Sequence, residues 1–210
     1  MPFLNLDHLL IKFDRALRIV SGQAKASRES PAHDIADTTL SEEQQSHSAG
    51  LMRVNHVGEI CAQALYDAQG QFAQTPAISK QFAHSGMEEE DHLAWSAQRI
   101  TELNSRTSLL NPLWYAGAYA CGMIAARCGD AASLGFVVET ERQVAAHLAS
   151  HLEKLPTDDL KSRAIVEQMR QDEVAHGGAA QALGASELSA PVKAAMVLMA
   201  KVMTTTAYYV

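Results

Sequence analysis

Residues 87–93 read MEEEDHL and residues 170–176 read RQDEVAH. Each stretch contains Glu-x-x-His: Glu89–His92 in the first and Glu173–His176 in the second. Three residues is nearly one helical turn, so the members of each pair leave a helix on the same side. One such match means little, because Glu and His fall at this spacing often by chance. Two matches gain meaning from their surroundings.

At about 100° per residue, the apolar stripe of the first helix is Ile78, Phe82, Leu93, Ile100 and Leu103. Glu89 and His92 fall on it, while Glu88, Glu90 and Asp91 fall off it. In the second helix the stripe is Ile165, Val166, Met169, Ala180 and Leu183. Glu173 and His176 lie on it, whereas Glu167 and Asp172 lie outside it or at its edge. A third helix carries Leu134, Val137, Val138, Val144, Ala145, Leu148, Leu152 and Leu155. Glu141 stands in the middle of that stripe, and Glu139 points to the opposite side.

Three acids and two histidines are thus aimed at an apolar interior. An unpaired carboxylate there costs several kcal/mol or takes up a proton. No Lys or Arg lies on these stripes near them, so a bound cation is the expected compensation.

A fourth carboxylate comes with less support. The clearest stripe of the helix around residue 60 is Val54, Val57, Cys61, Leu65, Ala68 and Phe72, and Glu59 lies on the other side. The wheel alone makes Glu59 a surface residue. Its height argues otherwise: Glu59 and Glu89 lie 15 residues either side of position 74, and Glu141 and Glu173 lie 16 either side of position 157. In two antiparallel hairpins these acids face each other at matching levels. If Glu59 is a ligand, its helix must be covered on both faces.

One Glu from each of two helices, with Glu-x-x-His from each of two others, is the layout of di-iron carboxylate bundles. Four carboxylates balance two divalent ions, and O/N ligands without thiolate favour iron or manganese. The expected metal ligands are therefore Glu89, His92, Glu141, Glu173 and His176, with Glu59 the candidate for the fourth carboxylate. His56 and His147 are candidates for holding a ligand in orientation or are ordinary structural histidines. His8, His33, His47, His84 and His151 read as surface or linker residues.

The rest of the chain fits one all-α unit. Its 210 residues, 47 % apolar and 20 % charged, suffice for a substantial core, and a net charge of −7 argues against nucleic acid. Cys61, Cys121 and Cys128 form no C-x-x-C pair, which disfavours structural zinc and fits a reduced, intracellular setting. Residues 1–45 are expected to be an N-terminal helix and a loosely packed linker, and 46–210 the functional domain. The N-terminal helix, with Leu6, Leu9, Leu10, Phe13, Leu17 and Val20 on one stripe, either docks on the body or lies at a membrane surface. In the second case Lys12, Arg15 and Arg18 would sit near headgroups. Asp7, Lys12 and Asp14 rule out a signal-peptide apolar region, and Leu113 to Ala126 is too short to span a bilayer. Six further helices are expected, at about 47–73, 76–104, 112–127, 131–155, 158–183 and from 191 onward. Thr75 and Asp130 are read as caps. The fold expected is a ferritin-like four-helix bundle with a di-iron site plus two additional helices.

The chain resembles the demethoxyubiquinone hydroxylase family of ubiquinone biosynthesis. The resemblance runs from about Arg53 to the C-terminus through RVNHVGE (53–59), MEEEDHL, VVETERQVAAHL (137–148) and RQDEVAH. RVNHVGE is its most distinguishing piece. The resemblance implies the same six iron ligands, including Glu59, with Glu141 and Glu173 moving between bridging and terminal coordination. It implies O₂-dependent hydroxylation of a polyprenylated demethoxyubiquinol and an external reductant such as NADH. The implied location is peripheral, on the cytoplasmic side of a bacterial cell membrane, where other ubiquinone-biosynthesis proteins or further copies of this chain are possible neighbours. Leu113–Ala126 and the last helix, from Val192, are candidates for contact with lipid or for core. Leu155–Asp159 is a shorter connection than in animal members. Leu148 stands where those have Tyr, so an electron-delivery role for that Tyr does not transfer. The competing readings are a rubrerythrin- or ferritin-like peroxidase or ferroxidase, and a metal-free structural bundle.

Overall fold

The computed structural model describes residues 6–210, with side chains described from Leu10 onward except Lys12. The expected stripe members Leu6 and Leu9, and the side chains of His8 and Lys12, lie outside the described residues. Seven helices are present among the described residues: α1 (Leu6–Val20), α2 (Glu42–Phe72), α3 (Pro76–Glu102), α4 (Asn111–Arg127), α5 (Asp130–Lys154), α6 (Leu160–Ala182) and α7 (Ala190–Ala207). Helix α2 packs on α3, α5 on α6, α3 on α6 and α2 on α5, which closes a four-helix ring. Helix α4 fills the one long connection, between α3 and α5, as in ferritin-like bundles. Helices α4 and α7 are the two additional helices expected, and α1 is the expected N-terminal helix.

The punctuation is local. Pro76, Pro112 and Pro191 stand in the first turns of α3, α4 and α7, where a missing N–H costs nothing. Gly184 follows α6 at φ +97°, a conformation that side chains resist. Three expectations about the ends need correction. Helix α2 begins at Glu42, because Ser41 and Gln44 form a reciprocal capping box inside what reads as linker. Thr75 makes no side-chain cap. Asp130 lies inside α5 and accepts from the backbone N–H groups of Gln74 and Thr75, so it ties the start of α3 to α5.

Helix α2 is covered on both faces, as a ligand role for Glu59 requires. Val54 and Val57 pack with Ala207 and Met203 of α7 and Trp114 of α4. Gly122 lets α4 approach closely, since a Cβ there would lie 2.9 Å from Ala68 Cβ and 3.1 Å from Leu65 O.

Residues 22–41 are largely exposed but are anchored to the bundle at a few points. Ala32 and Leu40 join the core cluster around Trp95, Ile100 and Ile165. Asp91, off the apolar stripe, is nonetheless buried because Ser27 and Arg28 close over it. His151, expected at the surface, is buried 4.0 Å from the His147 ring. Burial depresses both, His147 to about 4 and His151 to about 3.

A buried arginine fastens the end opposite the α2–α3 turn. Arg99 pairs with Asp159 at 2.8 Å and Glu102 at 2.9 Å, donates to Ser162 Oγ, and reaches Asp37 in the N-terminal segment at 3.4 Å. Asp159 is fully buried and also caps α6 through the Ser162 N–H. Arg99→Met leaves that carboxylate buried without its partner, a loss of about 3–5 kcal/mol. Urea unfolding is expected to show a midpoint lowered accordingly, and an unchanged midpoint would mean the pair contributes nothing.

Candidate metal centre

The six sequence-derived residues converge at mid-height of the bundle. Glu59 comes from α2, Glu89 and His92 from α3, Glu141 from α5, and Glu173 and His176 from α6. None is more than 4 % exposed. They form two groups whose donor atoms lie within 4.8 Å of one another: Glu59, Glu89, His92 and Glu173 in one, and Glu89, Glu141, Glu173 and His176 in the other. Glu89 and Glu173 belong to both. Each group has a carboxylate and a histidine of its own. The shared carboxylates are therefore one from each Glu-x-x-His, and Glu141, expected to alternate with Glu173 in bridging, lies in one group only.

The histidines present Nδ1 to the centre. His92 Nδ1 lies 3.1 Å from Glu89, 3.5 Å from Glu173 and 3.7 Å from Glu59. His176 Nδ1 lies 3.1 Å from Glu89 and 3.4 Å from Glu173. Each Nε2 is turned outward to a carboxylate on the other helix: His92 to Asp172 at 2.9 Å, His176 to Glu88 at 2.8 Å. Such carboxylate–histidine pairs fix ring orientation at metal sites. The wheel placed both acids off the apolar stripe and so missed them. A signal was present: in both motifs an acid immediately precedes the Glu of Glu-x-x-His.

Tyr66 was also missed. Its hydroxyl donates to Glu141 Oε1 at 2.5 Å. Glu139, two residues from Glu141, faces away and is held by Arg142 and Gln143 of its own helix. His56 is buried on the helix of Glu59, one turn before it, its pKa pushed down to about 4 by burial, yet neither it nor His147 belongs to either donor group. Two cavities of ≈ 380 and ≈ 400 Å³ open elsewhere, beside Arg28 and Trp95 and beside Arg53 and Tyr209.

Electrostatically the cluster calls for cations. Burial holds the Glu59 carboxyl well above the ordinary range, and the charge of Glu89 adds to this. Burial does the same to Glu141, reinforced by Glu173 and Glu89. Burial also works against an ionised Glu89, but hydrogen bonding with Glu59 and the positive His92 and His176 outweigh it and hold Glu89 well below. Both imidazoles hold their protons tightly despite burial, His92 through Glu89 and Asp172, and His176, raised to about 12, through Glu173 and Glu89. Without metal, protons are the counter-charge. Even so, Glu89 Oε1, Glu141 Oε2, both Glu173 oxygens and His176 Nδ1 are buried in ion-pair or carboxylate contact without an aligned hydrogen bond. Buried polar atoms are rarely left so. These are the donor atoms two divalent ions need, so the residues fit a two-metal centre.

Comparison with known proteins agrees. The family model described as "Ubiquinone biosynthesis protein COQ7" matches residues 46–207. The 3-demethoxyubiquinol 3-hydroxylase of Herbaspirillum seropedicae is 62 % identical over 97 % of this chain and 98 % of its own length. That of Herminiimonas arsenicoxydans is 62 % identical over 97 % of each. That of Cupriavidus metallidurans is 57 % identical over 97 % of this chain and 99 % of its own. These relatives extend the likeness well ahead of Arg53, where the sequence motifs begin. With a family model spanning most of its length and relatives matching nearly all of it, the chain belongs to the COQ7 family of ubiquinone biosynthesis proteins.

Proposed function

We propose that this chain hydroxylates the ring of a polyprenylated demethoxyubiquinol with O₂, at two iron ions held by Glu59, Glu89, His92, Glu141, Glu173 and His176. The observation that carries the reading is the buried cluster with two shared carboxylates and donor atoms without aligned hydrogen bonds. The names of the full-length relatives support the substrate and reaction.

In this reading Glu59 and His92 would hold one ion and Glu141 and His176 the other, with Glu89 and Glu173 available to both. The chemistry supplied by the bound iron pair is reductive activation of O₂, with one oxygen atom reaching the ring, the other leaving as water, and electrons from a reductant such as NADH. The protein's own part is positional. Asp172 and Glu88 hold the imidazole Nε2 atoms, so Nδ1 of each ring faces the ions. Tyr66 fixes one oxygen of Glu141 and leaves the other free to ligate. Apolar side chains of the bundle keep bulk water from the donors, which preserves the charge compensation.

The working position we propose is a membrane surface, on the cytoplasmic side of a bacterial membrane. Among the described residues no helix is long and apolar enough to cross a bilayer. Helices α1, α4 and α7 all rest on α2 and leave Leu10, Phe13, Leu17, Leu113, Ile124 and Leu198 exposed. The expectation for α1 is partly corrected: Arg15 faces inward to Glu90 and Asp67, and Ile19 is buried, while Leu10, Phe13 and Leu17 of the expected stripe face outward. A lipid surface both covers such side chains and delivers a polyprenyl substrate.

Three outcomes test the reading. Glu141→Ala is expected to abolish iron loading and rescue of a ubiquinone-deficient strain lacking its own hydroxylase, while Glu139→Ala spares both; the reverse pattern would overturn the ligand set. Ions must displace protons from Glu59, Glu141, His92 and His176, all raised in the metal-free centre. Anaerobic Fe(II) added to unbuffered metal-free protein near neutral pH therefore acidifies the solution, and affinity weakens as pH falls. A pH-independent isotherm would contradict this. Finally, Phe13→Ser with Leu17→Ser is expected to reduce sedimentation with phosphatidylglycerol–phosphatidylethanolamine vesicles while leaving the helical circular-dichroism signal intact. Undiminished sedimentation would remove α1 from the membrane contact.

A further inference from the structure

The two metal positions are not supported alike. The carboxylate behind His176 is Glu88, part-exposed, and besides His176 itself its one neighbour of basic type within 4 Å among the described residues is the His84 ring at 3.9 Å. The carboxylate behind His92 is Asp172, and it is gripped from several sides. Gln168 donates to its Oδ1 at 2.9 Å, while the Arg28 guanidinium lies 2.9 Å from the same Oδ2 that takes His92 Nε2.

Arg28 is itself locked. Its Nε donates to Asp91 Oδ2 at 2.6 Å, its guanidinium lies 5.0 Å over the Trp95 ring, and its backbone carbonyl accepts from Trp95 Nε1. Ser27 binds Asp91 through both its N–H and its hydroxyl. Trp95 packs 5.5 Å from the His92 ring. The segment ahead of α2 is thereby clamped to α3, and it places a planar cation where it meets Asp91 and Asp172 together. The guanidinium spans the two acids with a hydrogen bond from Nε to Asp91 and an ion pair, without an aligned hydrogen bond, from Nη2 to Asp172; a lysine ammonium, a point charge, cannot span both.

We propose that Arg28, which lies before the part of the chain matched by the family model, is a positioning residue for one metal position only: it pins Asp172, and through Asp172 the His92 ring. The inference rests on the metal-centre reading above. Arg28 belongs to neither donor group. Its effect is to make the ions inequivalent, with the His92 position braced from outside the bundle and the His176 position held by Glu88 alone. A purely structural role, neutralising Asp91, would affect folding and leave the two positions equal.

The test is a Co(II) titration of the full-length, metal-free protein, followed by visible absorption and by the paramagnetically shifted, solvent-exchangeable imidazole N–H resonances. Arg28→Gln alone strands Asp91, so the informative variant is Arg28→Gln with Asp91→Asn, and Asp91→Asn alone is the control. Wild type and control are expected to bind two Co(II) per chain and to show two slowly exchanging N–H signals. In the double variant one binding step weakens about tenfold and one N–H exchanges faster, while the other step and signal hold. Arg28→Lys, which keeps charge for Asp91 and folds without help, recovers only part of the lost affinity. Equal weakening of both steps, or no change in either, would overturn the proposal while leaving the metal centre standing. A wild-type protein that takes up no Co(II) would instead remove the metal centre, and this inference with it.

Discussion

Desolvation of carboxylate is the constraint around which this protein is organised. Four glutamates and two histidines sit in a bundle core where an uncompensated charge is costly. Protons or divalent ions must supply the compensation, and the donor atoms left without aligned hydrogen bonds make the ions the better match. Much of the fold follows from that need. Helix α2 can turn Glu59 inward only because α4 and α7 shield its other face. The histidines can offer Nδ1 only because Glu88 and Asp172 hold Nε2 from across the α3–α6 contact.

The centre was legible in the sequence to the extent that helical periodicity reports direction. Glu141 is separated from Glu139 by the wheel alone, and the structure seats Glu141 in the cluster and ties Glu139 to Arg142. Glu59 was not legible that way, because a helix buried all round has no single apolar stripe. Equal spacing from the two hairpin turns placed it at the right height, and the motif RVNHVGE singled it out. Glu88, Asp172 and Asp91 stayed hidden for a related reason. They are charged residues beside the apolar face, which a wheel counts as solvated. Asp91 is buried, and Asp172 and Glu88 are drawn inward, through partners on other segments, Arg28 for the two aspartates and His176 for Glu88, that no local pattern announces. The same blindness made residues 22–41 look loose, since Ala32, Leu40 and Ser41 reveal their packing and capping only in three dimensions.

The molecule faces two environments. Inside, acids and imidazoles are set to a fraction of a turn. Outside, α1, α4 and α7 carry apolar side chains that stay exposed among the described residues. A hydroxylase acting on a ring with a polyprenyl tail needs both, one for the oxygen chemistry and one for the tail. The N-terminal segment links them, since α1 presents Phe13 and Leu17 outward while Arg15 and, further on, Arg28 grip α3.

The most direct measurement is metal analysis of purified protein that is turning over demethoxyubiquinol. The account predicts two iron ions per chain, with hydroxylation lost on chelation and restored by Fe(II). Full turnover by a preparation free of iron and manganese would contradict it.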